Sequence, residues 1–120
     1  MGAPTIRLRR VYDEPAADDG YRVLVDRLWP RGMTKAAACI DEWVRDLAPS
    51  HELRRWYHRE PERWDEFRNR YLAELEQHPE MLDELAARAG RMPVTLVYSA
   101  RDERRNNAVV LREAIDQRRP

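Results

Sequence analysis

The amino-acid sequence predicts an α/β fold: one small domain over residues 1–120, with a mainly parallel sheet flanked by helices. Three observations carry this expectation. Val23-Leu24-Val25 is a short, solid, β-branched run of the kind that a two-sided parallel sheet buries, and Val94 to Tyr98 reads as a second buried strand. Segments of helical apolar periodicity separate these runs, which implies helices layered on a sheet. A chain of 120 residues is about one domain's worth and can bury a core of its own.

Each element has its own signal. Thr5 to Val11 alternates, with Ile6 and Leu8 opposite Arg7 and Arg9, as in a half-buried strand. Asp13 to Gly20 places Pro15 and Gly20 among acids and reads as a loop. After the run at residues 23–25 come Asp26-Arg27, and Pro30 and Gly32 then break the chain. Thr34 is positioned to cap a short helix over Lys35 to Cys39. Ile40 to Leu47 fits a helix at 40, 43, 44 and 47 and a strand at 43, 45 and 47; the strand is the expectation. Ser50 caps the next helix, and Pro61 is expected to open another with Trp64, Phe67, Tyr71, Leu72 and Leu75 as its apolar stripe. Pro79 opens a further helix that turns Leu82, Leu85, Ala86 and Ala89 inward and stops at Gly90. A last helix, carrying Ala108, Leu111 and Ile115, follows Ser99 to Asp102.

Composition narrows the function classes. Hydrophobic residues at 42% and charged residues at 37% give a small core under a heavily charged surface, which excludes a disordered chain. The 22 basic and 22 acidic residues cancel, so a general nucleic-acid coat is not expected, although local basic patches remain open. Cys39 is the only cysteine, which rules out an intramolecular disulfide and a cysteine metal cluster. No apolar run approaches the roughly 20 residues of a membrane span, and the amino terminus lacks the apolar core of a signal peptide, so export is not expected. The expected compartment is the cytoplasm.

In parallel α/β folds ligands sit outside the carboxyl ends of the strands, at crevices between them. Two polar segments emerge there. In Val25 to Gly32, Arg27 and Arg31 are suited to hold an anion, Asp26 to orient an arginine or exchange a proton, and Trp29 to form a wall. The alternative is structural: Asp26 and Arg27 in ion pairs, Trp29 in the core. In Ser99 to Asp102, Arg101 adds charge, Tyr98 or Ser99 can hydrogen-bond a ligand, and Asp102 can instead cap the helix. Asp26, His58 and Ser99 are the catalytic candidates. Ser99 lacks a G-x-S-x-G elbow, and His51, His58 and His78 show no metal-ligand spacing, so no metal is expected. Ser50 to Trp64 interleaves Arg54, Arg55, Arg59 and Arg63 with Trp56, Tyr57 and Trp64, a pattern that can also serve nucleic acid.

At these segments the chain resembles the bacterial YeaO-like family, domain of unknown function 488, over roughly Ile6 to Ile115. The markers are VDRLWPRG (25–32), LAPS (47–50), LRRWYHREPERWDEF (53–67) and TLVYSARDERRNNAVVL (95–111). The resemblance implies a compact α/β domain and supports the strand at Ile40 to Leu47. It implies no chemistry, and Arg59 stands where shorter relatives place a histidine. The thiol or metal chemistry suspected for longer branches finds no counterpart at Tyr98, Ser99, Arg101, Asn106 and Asn107.

The leading expectation is a domain that binds an anionic metabolite or nucleotide at Asp26, Arg27, Trp29, Arg31, Tyr98, Ser99 and Arg101, with catalysis left open and no cofactor assigned. The alternatives are a non-catalytic interaction or regulatory module that contacts nucleic acid, through Arg54 to Arg63, or a protein partner, and a structural partner in a complex. Nucleic acid ranks below the small anion as partner, no membrane is expected, and oligomeric state is open.

Overall fold

The structure, a computed structural model, describes residues 6–119. Strand β1 runs over Arg7–Arg10, β2 over Tyr21–Leu24, β3 over Glu42–Trp43 and β4 over Val94–Tyr98. They form one sheet in the order β1-β4-β2-β3, and every neighbouring pair is parallel. Helix α1 spans Lys35–Ala38, α2 His51–Arg59, α3 Trp64–Leu75, α4 Pro79–Ala89 and α5 Asn107–Asp116. The expected α/β class is the observed one. Thr5, placed in the first strand by its pattern, lies outside the described residues. No helix among them is long and apolar enough to cross a membrane.

Strand alternation divides the core. Val94, Leu96 and Tyr98 of β4 join Ile6, Val23 and Val25 against the buried faces of α3, α4 and α5. Val97 points the other way and packs with Val11 and Ala38, covered by Trp29, Met33 and Ile40. The apolar stripe expected on α3 is turned inward at Phe67, Tyr71 and Leu75, and that of α4 at Leu82, Leu85, Ala86 and Ala89.

Thr34 and Ser50 cap their helices as their residue types predict: Thr34 Oγ1 accepts from the Ala37 N–H at 3.0 Å, and Ser50 Oγ from Leu53 at 3.1 Å. Two boundaries differ from the sequence pattern. Pro61 does not open α3; it occupies the second position of a turn closed by the Arg63 N–H on the Glu60 carbonyl at 3.0 Å, and the helix begins at Trp64. Ile40 to Leu47 pairs only at Glu42 and Trp43, at the sheet edge, before a 3-10 turn over Arg45–Leu47.

The second face of the sheet also buries charge. Arg22 donates to the Asp19 carboxylate at 2.6 Å and to the carbonyls of Cys39 and Ala38 at 3.1 and 2.9 Å. Both residues are almost fully enclosed. Thr95 Oγ1 donates to the Asp19 carbonyl at 2.7 Å, which ties this loop across to β4. At Gly20 the backbone takes a φ of 67°, and a Cβ there would meet the Pro93 carbonyl oxygen at 2.2 Å. Only glycine permits that approach.

Removing one partner of such a buried pair strands the other charge, which costs about 3–5 kcal/mol. Arg22→Met is therefore expected to lower unfolding stability by that amount in urea titrations. Adding Asp19→Asn to it should recover part of the loss. A loss below about 1 kcal/mol for the single variant would contradict the role assigned to this pair.

Candidate functional site

Parallel pairing of β2 with β4 brings their carboxyl ends to one rim, and the Val25 N–H continues the ladder onto the Val97 carbonyl at 3.0 Å. The chains then stay together through one carboxylate. Asp26 Oδ2 accepts the Ser99 N–H at 2.9 Å and the Ser99 hydroxyl at 2.6 Å. Asp26 Oδ1 accepts from Asn107 Nδ2 at 3.1 Å, and the same amide donates to the Val25 carbonyl at 3.0 Å. The Asp26 carbonyl in turn accepts from Trp43 Nε1 at 2.6 Å. Asp26 and Ser99 thus share the crevice that the two strand runs predict.

Arg27 donates Nε to the Pro49 carbonyl at 3.1 Å and a terminal nitrogen to Ala48 at 3.3 Å. It has backbone partners rather than the carboxylate of the structural alternative. Trp29 lines the crevice with its N–H satisfied by the Met33 carbonyl at 2.6 Å, and its ring meets Trp43 edge-on at 5.5 Å. Gly32, with φ of 77°, supplies the positive dihedral of the turn closed from Met33 to Pro30, and the exposed Arg31 sits on that turn.

Tyr98 departs from expectation. It is the last residue of β4 and shares the helix-covered face with Val94 and Leu96, so it is buried and does not line the crevice. Burial raises its pKa above the ordinary tyrosine value, with Glu103 adding to the shift. Asp102 also departs from the capping alternative. Its carboxylate accepts the N–H groups of Arg104 and Arg105 at 2.9 and 3.0 Å, and these backbone bonds hold its pKa below the usual range. Asn106 is the residue that caps α5, through the Val109 N–H at 3.1 Å.

The crevice has a volume of about 1130 Å³. Asp26, Arg27, Trp29, Arg31, Ser99 and Arg101 line it, joined by side chains that strand-end reasoning did not place there. Arg10 ends β1 on the same rim and donates to the carbonyls of Ala100 and Ser99 at 2.8 and 3.3 Å. Helix α2 contributes His51, Arg54, Arg55, Tyr57, His58 and Arg59. In the sequence 51, 54, 55 and 58 fall on one helical face, but the spacing does not say that this face meets the strand ends. Tyr57 stacks on Phe67 with centroids 4.4 Å apart, and burial raises its pKa while Arg105 opposes the shift.

The resulting electrostatics are one-sided. Eight arginines line the crevice with Asp26 as the only carboxylate. None of the eight takes part in an ion pair among the described residues, whereas Arg7, Arg22, Arg63, Arg68, Arg70 and Arg118 elsewhere are all paired. Among the described residues, Arg31, Arg54, Arg55, Arg59 and Arg101 have no hydrogen-bond partner for their guanidinium groups either, and Arg105, which also has none, lies within electrostatic reach of Asp102. No cluster of three or more His, Cys, Asp or Glu among the described residues is arranged to hold a metal ion.

If Asp26 fastens the rim, its bonds to Ser99 are coupled. Asp26→Ala is expected to lose about 3 kcal/mol and Ser99→Ala about 1.5 kcal/mol of unfolding stability, since hydrogen bonds to a charged group contribute about 1.5–3 kcal/mol. The double variant should lose at least about 1 kcal/mol less than the sum of the two. Strict additivity in denaturant melts would contradict this.

Sequence similarity to known proteins extends over nearly the whole chain. Residues 5–119 match the family model described as "Inactive DUF488-N3 subclade". The uncharacterized protein YeaO of Escherichia coli is 48% identical over 106 residues, which cover 88% of this chain and 92% of that protein. An uncharacterized protein of Mycobacterium tuberculosis is 46% identical over 113 residues, 94% of this chain and 95% of its own length. No solved structure matches the chain. On a family match of this extent, with relatives close to half identical along almost their full length, the chain belongs to the YeaO-like DUF488 family.

Proposed function

We propose that this domain binds a small anion in the crevice at the carboxyl ends of its strands, and that it binds without turning the ligand over. The observation that carries the reading is the set of unpartnered guanidinium groups. A chain with equal numbers of acidic and basic residues pairs many of its arginines elsewhere, yet gathers five without partners around one concavity. Like charges held close repel one another. A bound anion offsets that repulsion, and guanidinium forks match phosphate and carboxylate oxygens.

The binding-only part rests on the same geometry. Asp26, the one acid available as a base, has both oxygens occupied by donors from Ser99 and Asn107. The Ser99 hydroxyl spends its proton on Asp26, with no imidazole between them of the kind that activates a nucleophile. The family model's description as inactive agrees with this reading. Arg54, Arg55 and Arg59, the core of the tract that suggested a separate nucleic-acid face, belong to the same concavity, and Arg63 is paired with Glu66.

A ligand that binds only the folded state stabilises it by RT ln(1 + [L]/Kd). At tenfold excess over Kd this is about 1.4 kcal/mol, or a rise of roughly 5 °C in Tm for a domain of this size. Phosphate at 10 mM should produce that rise at constant ionic strength, against chloride. Arg55→Gln combined with Arg101→Gln should melt like the parent without phosphate and gain nothing from it. Arg91→Gln, outside the crevice, should keep the full response. A phosphate effect no larger than that of chloride would overturn the proposal.

A further inference from the structure

Among the described residues the large hydrophobic side chains left exposed are Tyr12, at 45%, and Leu28, at 59%. Both line the arginine crevice. Single exposed apolar residues scattered over a surface carry no meaning. Two of them at the mouth of one charged concavity are a different matter, because a bare inorganic anion has no use for them.

Tyr12 is also held in place. Its hydroxyl donates to the Arg31 carbonyl at 3.0 Å, and the Arg10 guanidinium lies over its ring, 5.3 Å from the centroid. Arg10 itself is anchored on the carbonyls of Ala100 and Ser99. The ring is therefore backed by a cation and fixed at its far end, while nearly half of it faces solvent. A preset aromatic face beside guanidinium groups suits a ligand that joins a planar ring to a phosphate chain, with stacking on one part and charge on the other.

We propose that the ligand of this crevice is a nucleoside polyphosphate, its base packed on Tyr12 and Leu28 and its phosphates held by the unpartnered arginines. The assignment rests on the anion-binding reading and adds the organic half of the ligand to it. The crevice volume, about 1130 Å³, exceeds the usual range for small-molecule sites and leaves room for base, sugar and phosphates together.

The test compares inorganic tripolyphosphate with ATP, GTP, CTP and UTP in metal-free titration calorimetry on the full chain. The inorganic probe offers a phosphate chain without a base. At least one nucleotide should bind about tenfold more tightly than tripolyphosphate, the increment expected from stacking one base on an aromatic ring. Tyr12→Ala should bring the affinity ratio of nucleotide to tripolyphosphate down to about one. Tyr12→Phe, which loses the bond to Arg31 but keeps the ring, should retain the increment. If all four nucleotides bind no better than tripolyphosphate, the ligand class is wrong and the anion site stands. If neither kind of probe binds, both readings fall. If Tyr12→Phe weakens tripolyphosphate and nucleotides alike, Tyr12 only props the Arg31 turn and the stacking assignment is overturned.

Discussion

The site depends on one carboxylate. Asp26 leaves the end of β2 and collects the main-chain and side-chain donors of Ser99, at the end of β4, and the amide of Asn107, in the first turn of α5. Parallel pairing alone would bring β2 and β4 to the same rim, but it would not fix the two loops that leave them. The Asp26 bonds do. With Trp43 bonded to its carbonyl and Arg27 reaching the carbonyls of Ala48 and Pro49, the loop after β2 is tied toward β3 and the start of α2 as well. The crevice walls are held by a polar knot, in place of the apolar packing that holds the rest of the sheet.

That knot explains how the charge can be so unevenly distributed. Outside the crevice, Arg7, Arg22, Arg68, Arg70 and Arg118 are neutralised locally, by Asp18, Asp19, Glu113, Glu66 and Asp83. Inside, the single acid is consumed in holding the frame, and the surrounding guanidinium groups form no ion pair among the described residues. A neutral total and a strongly cationic concavity are thus compatible, and the second is the quantity that bears on ligands. The same allocation leaves Asp26 with both oxygens engaged in holding the frame.

Much of this was legible in the sequence. Val94 to Tyr98 reads as a strand because its run is buried on both faces, and Ser50 and Pro79 mark helix starts by their chemistry. The meeting of Asp26 with Ser99 followed from two parallel strands having one rim. The failures have local causes. Tyr98 was one residue too early: side chains alternate along a strand, and position 98 points to the helices. Pro61 is as well suited to a turn as to a helix start, and α2 has to reverse direction there. Edge strand β3 is paired at two residues only, too few for alternation to register. Arg10, Arg54, Arg55 and Arg59 were missed as crevice residues because nothing local in a sequence says which helix face meets which strand end. Only the folded order β1-β4-β2-β3 and the placement of α2 assemble them.

Unpaired in the free protein, the crevice arginines Arg31, Arg54, Arg55, Arg59 and Arg101 should take their partner from solution. Side-chain Nε–Hε resonances of the arginines, followed by nuclear magnetic resonance through a phosphate titration at constant ionic strength, test this residue by residue. Saturable shifts are expected at Arg31, Arg54, Arg55, Arg59 and Arg101, with one common dissociation constant and little movement at the paired Arg68 and Arg118. Small, unsaturating shifts spread evenly over all the arginines would contradict this.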